Sequence, residues 1–242
     1  MRSRTLSAVG LSVAALVLSS ATAATAGTTS QSGVTAVHKS SVASTPAFHG
    51  FKKKKGCGFT NGKTDGGNAI TSQDISDFGI VSDAADDFSC KKAATLKSLT
   101  WQGQYYNGSG PADAFNVYVY ANNTDGSIDE PEETATCSFT GQKYKPAGAQ
   151  TGVVNFSIKK LTGDACKLKA KTTYWLEIQA DMQFATGGQF GWEVTSDLTG
   201  NAADWRNPDG GFGTSCAAFQ NDTDMQTCLG LVGTPDFIFA VK

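Results

Sequence analysis

Short runs of alternating hydrophobic and polar residues, separated by turn residues, dominate the chain beyond residue 56. In residues 114–120, apolar side chains alternate with Asn116, Tyr118 and Tyr120, which is the period of a strand with one buried face. Similar runs occupy residues 86–90, 95–106, 134–140, 153–159, 173–182, 189–195 and 236–241. The pattern predicts an all-β fold, a single antiparallel β-sandwich of eight or nine strands, jelly-roll or immunoglobulin-like.

The first 26 residues have the pattern of a secretory signal peptide. Arg2 and Arg4 precede an apolar run over residues 6–18, and the sequence 24–26 (Ala-Thr-Ala) suits a signal peptidase. The apolar run is shorter than the roughly 18 residues that a membrane helix needs. We therefore predict a secreted, extracellular chain that begins near Gly27 and does not insert into a membrane.

Residues 27–56 are rich in Ser, Thr and Ala and show no apolar period, which predicts a disordered leader before a folded domain over residues 57–242. The leader ends in four lysines at 52–55 and contains no acid. The run suits contact with an anionic cell surface, a processing site or, as we favour, a solvated linker. Residues 57–242 carry 12 lysines and one arginine against 22 acids. An acidic body repels phosphate, so nucleic acid is excluded as a partner.

Six cysteines follow the leader, and an even number in a secreted chain indicates three disulfides, although six cysteines allow about 15 pairings. The cysteines are Cys57, Cys90, Cys137, Cys166, Cys216 and Cys228. They lack the close spacing of zinc ligands, and both histidines, His38 and His49, lie in the leader. The body therefore has no histidine for a Ser-His-Asp or Cys-His nucleophile.

Several motifs occur in an order that resembles a known family. They are the sequences at 107–112 (NGSGPA), 115–121 (FNVYVYA), 137–141 (CSFTG), 173–182 (TYWLEIQADM), 189–192 (QFGW) and 205–216 (WRNPDGGFGTSC). Together they resemble a β-sandwich accessory module of secreted bacterial proteins, over about residues 80–242. The resemblance implies no assigned activity, and it implies that Cys137 pairs with Cys166 and Cys216 with Cys228. Loop closure between sequence neighbours then pairs Cys57 with Cys90.

Aromatic and polar residues beside predicted turns suggest a ligand site. Trp205, Arg206, Asn207 and Asp209 lie within five residues, and Trp192 ends the preceding motif. An indole can stack on a sugar while Arg, Asn and Asp bind its hydroxyls. The alternative is that the tryptophans fill the ends of the sandwich. We therefore predict a non-catalytic binding or surface-interaction module, with a polysaccharide or cell-surface glycan as its leading partner.

Two other functions remain open. Acids at Glu177, Asp181, Glu193 and Asp204 could serve a carboxylate-dependent glycoside hydrolase, although the polar side of a strand explains them equally well. A purely structural envelope protein would differ from the binding module only in having no ligand. No cofactor is predicted beyond calcium, for which the acidic loops at 122–130 and 221–224 are weak candidates, because the first departs from the EF-hand pattern and ordinary turns explain both.

Overall fold

The computed structural model describes residues 33–40, 46–48, 56–63, 68–124, 129–219, 224–231 and 235–242. The predicted signal peptide, His49 and the lysines at 52–55 lie outside these residues. The strands are β1 Val37–Lys39, β2 Phe59–Asn61, β3 Asn68–Thr71, β4 Gln73–Ile75, β5 Ile80–Ser89, β6 Ala94–Thr95, β7 Leu99–Tyr106, β8 Ala114–Asn123, β9 Glu130–Gln142, β10 Gly152–Ile158, β11 Lys167–Leu168, β12 Thr173–Asp181, β13 Gln189–Thr195, β14 Asp204–Arg206, β15 Asp236–Phe237 and β16 Phe239–Val241. Two short helices, α1 Phe184–Gly187 and α2 Asp224–Leu229, complete the described part.

Two curled sheets pack face to face, so the predicted all-β sandwich is confirmed. The eight-stranded sheet has the order β1-β3-β13-β7-β16-β2, with β10 paired to β7 and β15 to β13. The six-stranded sheet has the order β14-β5-β4-β12-β8-β9. Strands are more numerous than the predicted eight or nine, because several strands of two to four residues are too short to show an alternating pattern.

Aromatic side chains fill the space between the sheets. Trp101 stacks on Phe156 at 5.6 Å between ring centroids, and Phe115 meets the edge of Trp101 at 4.9 Å. Phe190 completes the group, 4.9 Å from Phe115. All four side chains are buried, and they come from four strands in both sheets. The strong alternation of these strands therefore places their apolar faces in one core.

Three disulfides join Cys57 to Cys90, Cys137 to Cys166 and Cys216 to Cys228. All three predicted pairings are confirmed. Three intrachain disulfides indicate an oxidising environment. No helix in the described residues is long and apolar enough to cross a membrane.

Part of the predicted disordered leader is a strand. Residues Val37–Lys39 form β1, which pairs antiparallel with β3 at the edge of the eight-stranded sheet. His38 stacks on the Tyr106 ring at 4.5 Å. The expectation of disorder is wrong for residues 33–40, because backbone pairing and contacts with the sheet replace the apolar period that the sequence lacks.

Candidate functional site

The two tryptophans predicted as a sugar platform lie in the core. Trp205 and Trp192 are both fully buried. Trp205 donates from Nε1 to the Thr71 carbonyl at 2.9 Å, and Trp192 donates to the Ile238 carbonyl at 3.1 Å. A buried indole cannot stack on a sugar, so the platform prediction is wrong for both residues and the alternative of a packing role is correct.

The polar residues of the predicted site do not lie together in the structure. Arg206 reaches the outer face of the six-stranded sheet, whereas Asn207 is buried and its backbone N–H donates to the Cys216 carbonyl at 2.6 Å. Asp209 is exposed, and it is not the partner of Arg206, which pairs instead with Asp83 and Glu133. Of these residues, Arg206 lines a cavity on the six-stranded sheet.

That cavity is an open groove of about 460 Å³ on the outer face of the six-stranded sheet. We call it the acidic groove. Its lining residues are Asp74, Val81, Asp83, Tyr118, Tyr120, Glu133, Thr134, Ala135, Ser138, Glu177, Gln179 and Arg206.

Strand alternation places the central residues of the groove. In β12, Leu176 and Ile178 belong to the core cluster, so Glu177 and Gln179 point to the opposite face. Tyr118 of β8 lies directly across from Glu177. Cross-strand neighbours on one face lie about 5 Å apart, so the groove floor is a continuous layer of polar side chains.

A chain of hydrogen bonds crosses this floor through five strands. Arg206 Nε donates to Asp83 Oδ2 at 2.7 Å, and Gln179 Nε2 donates to Asp83 Oδ1 at 2.6 Å. Asn116 Nδ2 then donates to Gln179 Oε1 at 3.2 Å, and the Gly141 N–H donates to Asn116 Oδ1 at 2.9 Å. Each amide has one orientation in this chain, so the floor is ordered before any ligand arrives.

Arg206 is held from three sides. Its Nη1 donates to Glu133 at 3.2 Å, and its guanidinium carbon lies 4.3 Å from the centre of the Phe219 ring. Burial alone would lower the pKa of Arg206, but the neighbouring carboxylates, chiefly Asp83, raise it. The guanidinium is therefore a fixed positive charge at the rim of the groove.

The carboxyl group of Glu177 already has a hydrogen-bond partner. Its Oε2 accepts a hydrogen bond from the Tyr120 hydroxyl at 2.6 Å, and the side chain is buried. Burial raises the pKa of Glu177 well above its usual range, and the nearby Asp83 carboxyl raises it further. A carboxyl group with a raised pKa holds its proton more readily, so Glu177 contributes less negative charge to the groove than an exposed glutamate would.

The remaining groups leave the groove acidic. Burial raises the pKa of Tyr118 to about 12, with Glu177 and Asp83 contributing, so its phenol stays neutral and can donate. Burial also raises the pKa of Asp74, and repulsion from Asp181, Asp83 and the exposed Asp209 adds to the effect. Four carboxyl groups face one arginine in the lining.

The four acids considered for glycoside hydrolysis do not share one cleft. Glu193 lies on β13 in the other sheet, where it contacts Ser40 and Gln104. Asp204 is buried on β14, and Asp181 is the last residue of β12. Neither residue lines the groove. Of the four, only Glu177 lines the acidic groove, so the structure does not bring these carboxyl groups together there.

The calcium candidates fall partly outside the described residues, since 125–128 and 221–223 are not described. Within the described ranges, no group of three or more acidic, cysteine or histidine side chains could hold a metal ion.

No protein-family model, curated protein or solved structure matches the chain. The resemblance to an accessory module of secreted bacterial proteins therefore stays a prediction.

Proposed function

We propose that the chain is a secreted, non-catalytic carbohydrate-binding module whose ligand lies in the acidic groove. One observation carries the proposal: the groove is open and its floor is a pre-ordered set of hydrogen-bond donors and acceptors beside a half-exposed tyrosine. Sugar hydroxyls require such fixed donors and acceptors, and the Tyr118 ring provides an apolar surface for a pyranose face.

The negative charge of the groove limits the kinds of glycan that it can bind. Asp74, Asp83 and Glu133 outweigh the single charge of Arg206, even with Glu177 protonated. Polysaccharides that carry carboxylates or sulfates would be repelled. Neutral glycans and amino sugars suit the groove, because their hydroxyls and ammonium groups can donate to the carboxylates.

Hydrolysis is the second candidate, and the raised pKa of Glu177 favours it, because a general acid must hold a proton near neutral pH. Against it, Glu177 is 1% exposed and its Oε2 already accepts a hydrogen bond from Tyr120, so little of the carboxyl group is open to a ligand. The geometry therefore supports binding better than cleavage.

A matched pair of substitutions on β9 tests the proposal. Ser138 is exposed, lines the groove and lies opposite Tyr118, whereas Thr136 is exposed on the same strand but not in the lining. Ser138→Trp should abolish retention on an insoluble neutral polysaccharide or chitosan, and Thr136→Trp should leave it unchanged. Tyr118→Ala should weaken binding about fivefold, the loss of roughly 1 kcal/mol of stacking.

The measurement is a pull-down on neutral, cationic and anionic polysaccharides, followed by analysis of released reducing ends. Retention by anionic glycans alone, or equal loss in both tryptophan variants, would contradict the groove as the site. Release of reducing ends that Glu177→Gln abolishes would favour the hydrolase. Retention by none of the polysaccharides would favour a structural envelope protein.

A further inference from the structure

The eight-stranded sheet has an outer face that is covered by the chain itself. Residues 33–36, 40 and 46–48 contact side chains of that face, and residues 37–39 extend the sheet at its edge as β1. We call residues 33–40 and 46–48 the strap. The first cysteine of the chain is Cys57, so no disulfide fastens the strap to the sandwich. Its hold on the sheet is therefore β-pairing, hydrogen bonds and packing alone.

Side chains of the sheet bind the main chain of the strap. Gln189 makes a two-point contact with Thr35: the Thr35 N–H donates to Oε1 at 3.0 Å, and Nε2 donates to the Thr35 carbonyl at 3.0 Å. Thr71 and Tyr106 donate to the same carbonyl at 2.7 and 3.0 Å. Asn107 Nδ2 donates to the carbonyl of Gly33 at 3.0 Å.

The same recognition continues at the far end of the strap. Gln102 Nε2 donates to the Pro46 carbonyl at 2.7 Å. Asn155 Nδ2 donates to the Ala47 carbonyl at 3.2 Å. Recognition of main-chain atoms by side-chain amides suits any extended peptide, because it does not depend on the side chains of that peptide.

Besides His38, which stacks on Tyr106, two positions of the strap are recognised through their side chains. Val34 is buried beside Ile75 and Ile80. Ser40 is buried, donates from Oγ to both carboxylate oxygens of Glu193 at 2.7 and 2.9 Å, and accepts from Gln104 Nε2 at 2.6 Å. An apolar residue followed six positions later by a hydroxyl residue therefore matches this face.

We propose that the outer face of the eight-stranded sheet is a peptide-binding surface, occupied in this structure by the chain's own strap. Its ligand is an extended polypeptide segment with an apolar residue at the Val34 position and Ser or Thr at the Ser40 position. This site lies on the opposite side of the sandwich from the acidic groove, and it is independent of carbohydrate binding.

The test cuts the full chain after the strap, so that a synthetic peptide can replace the strap on the sheet. The lysines at 52–55 are replaced by the recognition sequence of a site-specific protease, and the folded protein is cut there. Native mass spectrometry follows the severed N-terminal fragment. Fluorescence anisotropy follows a labelled synthetic peptide of residues 33–48, with uncut protein as the control for a surface that is already occupied.

Cut protein should bind the labelled peptide, and uncut protein should not. A peptide with Ser40→Ala should bind about tenfold more weakly, since it loses hydrogen bonds to a carboxylate. Thr35→Ala is the matched control, because the Thr35 side chain is exposed and only its main chain is bound. It should bind as the natural peptide does.

Three results would overturn the proposal. The severed fragment could leave while the folded sandwich binds no peptide. It could stay bound without exchanging against excess peptide. The cut protein could unfold, which near-ultraviolet circular dichroism would show and which would make the strap an integral part of the fold. Equal affinity for the Ser40→Ala and natural peptides would refute the assigned specificity.

Discussion

Trp205 and Arg206 are adjacent in the chain and point to opposite faces of β14. The Trp205 indole lies between the sheets and donates to the Thr71 carbonyl at 2.9 Å. The Arg206 guanidinium lies on the outer face and donates to Asp83 at 2.7 Å. Successive side chains of a strand alternate, so one dipeptide ties the core to the acidic groove.

Truncation of Trp205 should destabilise the fold rather than the groove. Trp205→Ala leaves a cavity in the core and an unpaired Thr71 carbonyl, so we expect a loss of about 3 to 5 kcal/mol in the free energy of unfolding. Urea denaturation followed by far-ultraviolet circular dichroism measures it. Leu198→Ala is the surface control, since Leu198 is 52% exposed, and it should change stability by less than about 0.5 kcal/mol. Equal effects in the two variants would contradict a core role for Trp205.

Strands with long alternating patterns were predictable from the sequence. Residues 189–195 were predicted and form β13 with the same bounds, and the run at 114–120 is the first part of β8. β14 has only three residues, and three residues show no period that could assign Trp205 to the inner face. The burial of Trp205 therefore follows from the pairing of β14 with β5, and the residues around Trp205 do not predict that pairing.

The acidic groove also depends on strand pairing that the local sequence does not show, here between segments far apart in the chain. The sequence singles out Glu177 and Arg206 separately, whereas Asp83 lies in a run of small and acidic residues that forms no motif. The pairing of β14 with β5 joins Arg206 to Asp83 across 123 positions of the chain. Such a register follows from the packing of whole sheets and not from the pattern of any single segment.

The three disulfides should differ in their contribution to stability. Cross-linking restricts the unfolded chain more when the closed loop is longer. Cys57 and Cys90 are 33 positions apart, whereas Cys216 and Cys228 are 12 apart. We expect loss of the first disulfide to cost about 4 kcal/mol and loss of the second about 3 kcal/mol.

Double Cys→Ala variants measure this difference by guanidinium denaturation, one disulfide at a time. Each variant retains the other two disulfides, which keeps the fold comparable between them. A larger loss for Cys216 and Cys228 than for Cys57 and Cys90 would show that native-state contacts, and not loop closure, determine the ranking.

A pair of buried carboxyl groups should make stability depend on pH. Asn61 Nδ2 donates to Asp86 Oδ2 at 3.3 Å and to Asp236 Oδ2 at 3.0 Å, so one amide joins the two acids. Burial raises the pKa of Asp86 well above its usual range, and the charges of Asp236 and Asp87 raise it further. Burial also raises the pKa of Asp236 to about 6.

The direction of the pH dependence follows from these shifts. Between about pH 4 and 6, the folded protein holds protons that the unfolded chain has released, so its stability falls as the pH rises through this window. Below about pH 4 both states are protonated, and the contribution of the pair is constant. Ionisation of buried carboxyls should therefore cost folding energy at neutral pH.

Asp236→Asn removes one ionisable group from the pair while keeping an oxygen that can accept from Asn61 and from the Thr199 N–H. We expect the variant to gain up to about 3 kcal/mol relative to the natural protein between pH 4 and pH 7, since one pKa unit corresponds to about 1.4 kcal/mol. Urea denaturation at each pH measures the difference. Asp164→Asn removes an exposed carboxylate, and its free energy of unfolding should follow the same pH dependence as that of the natural protein. If the Asp236→Asn difference stays constant from pH 4 to 7, the buried pair does not titrate in that window, and the destabilisation at neutral pH has another origin.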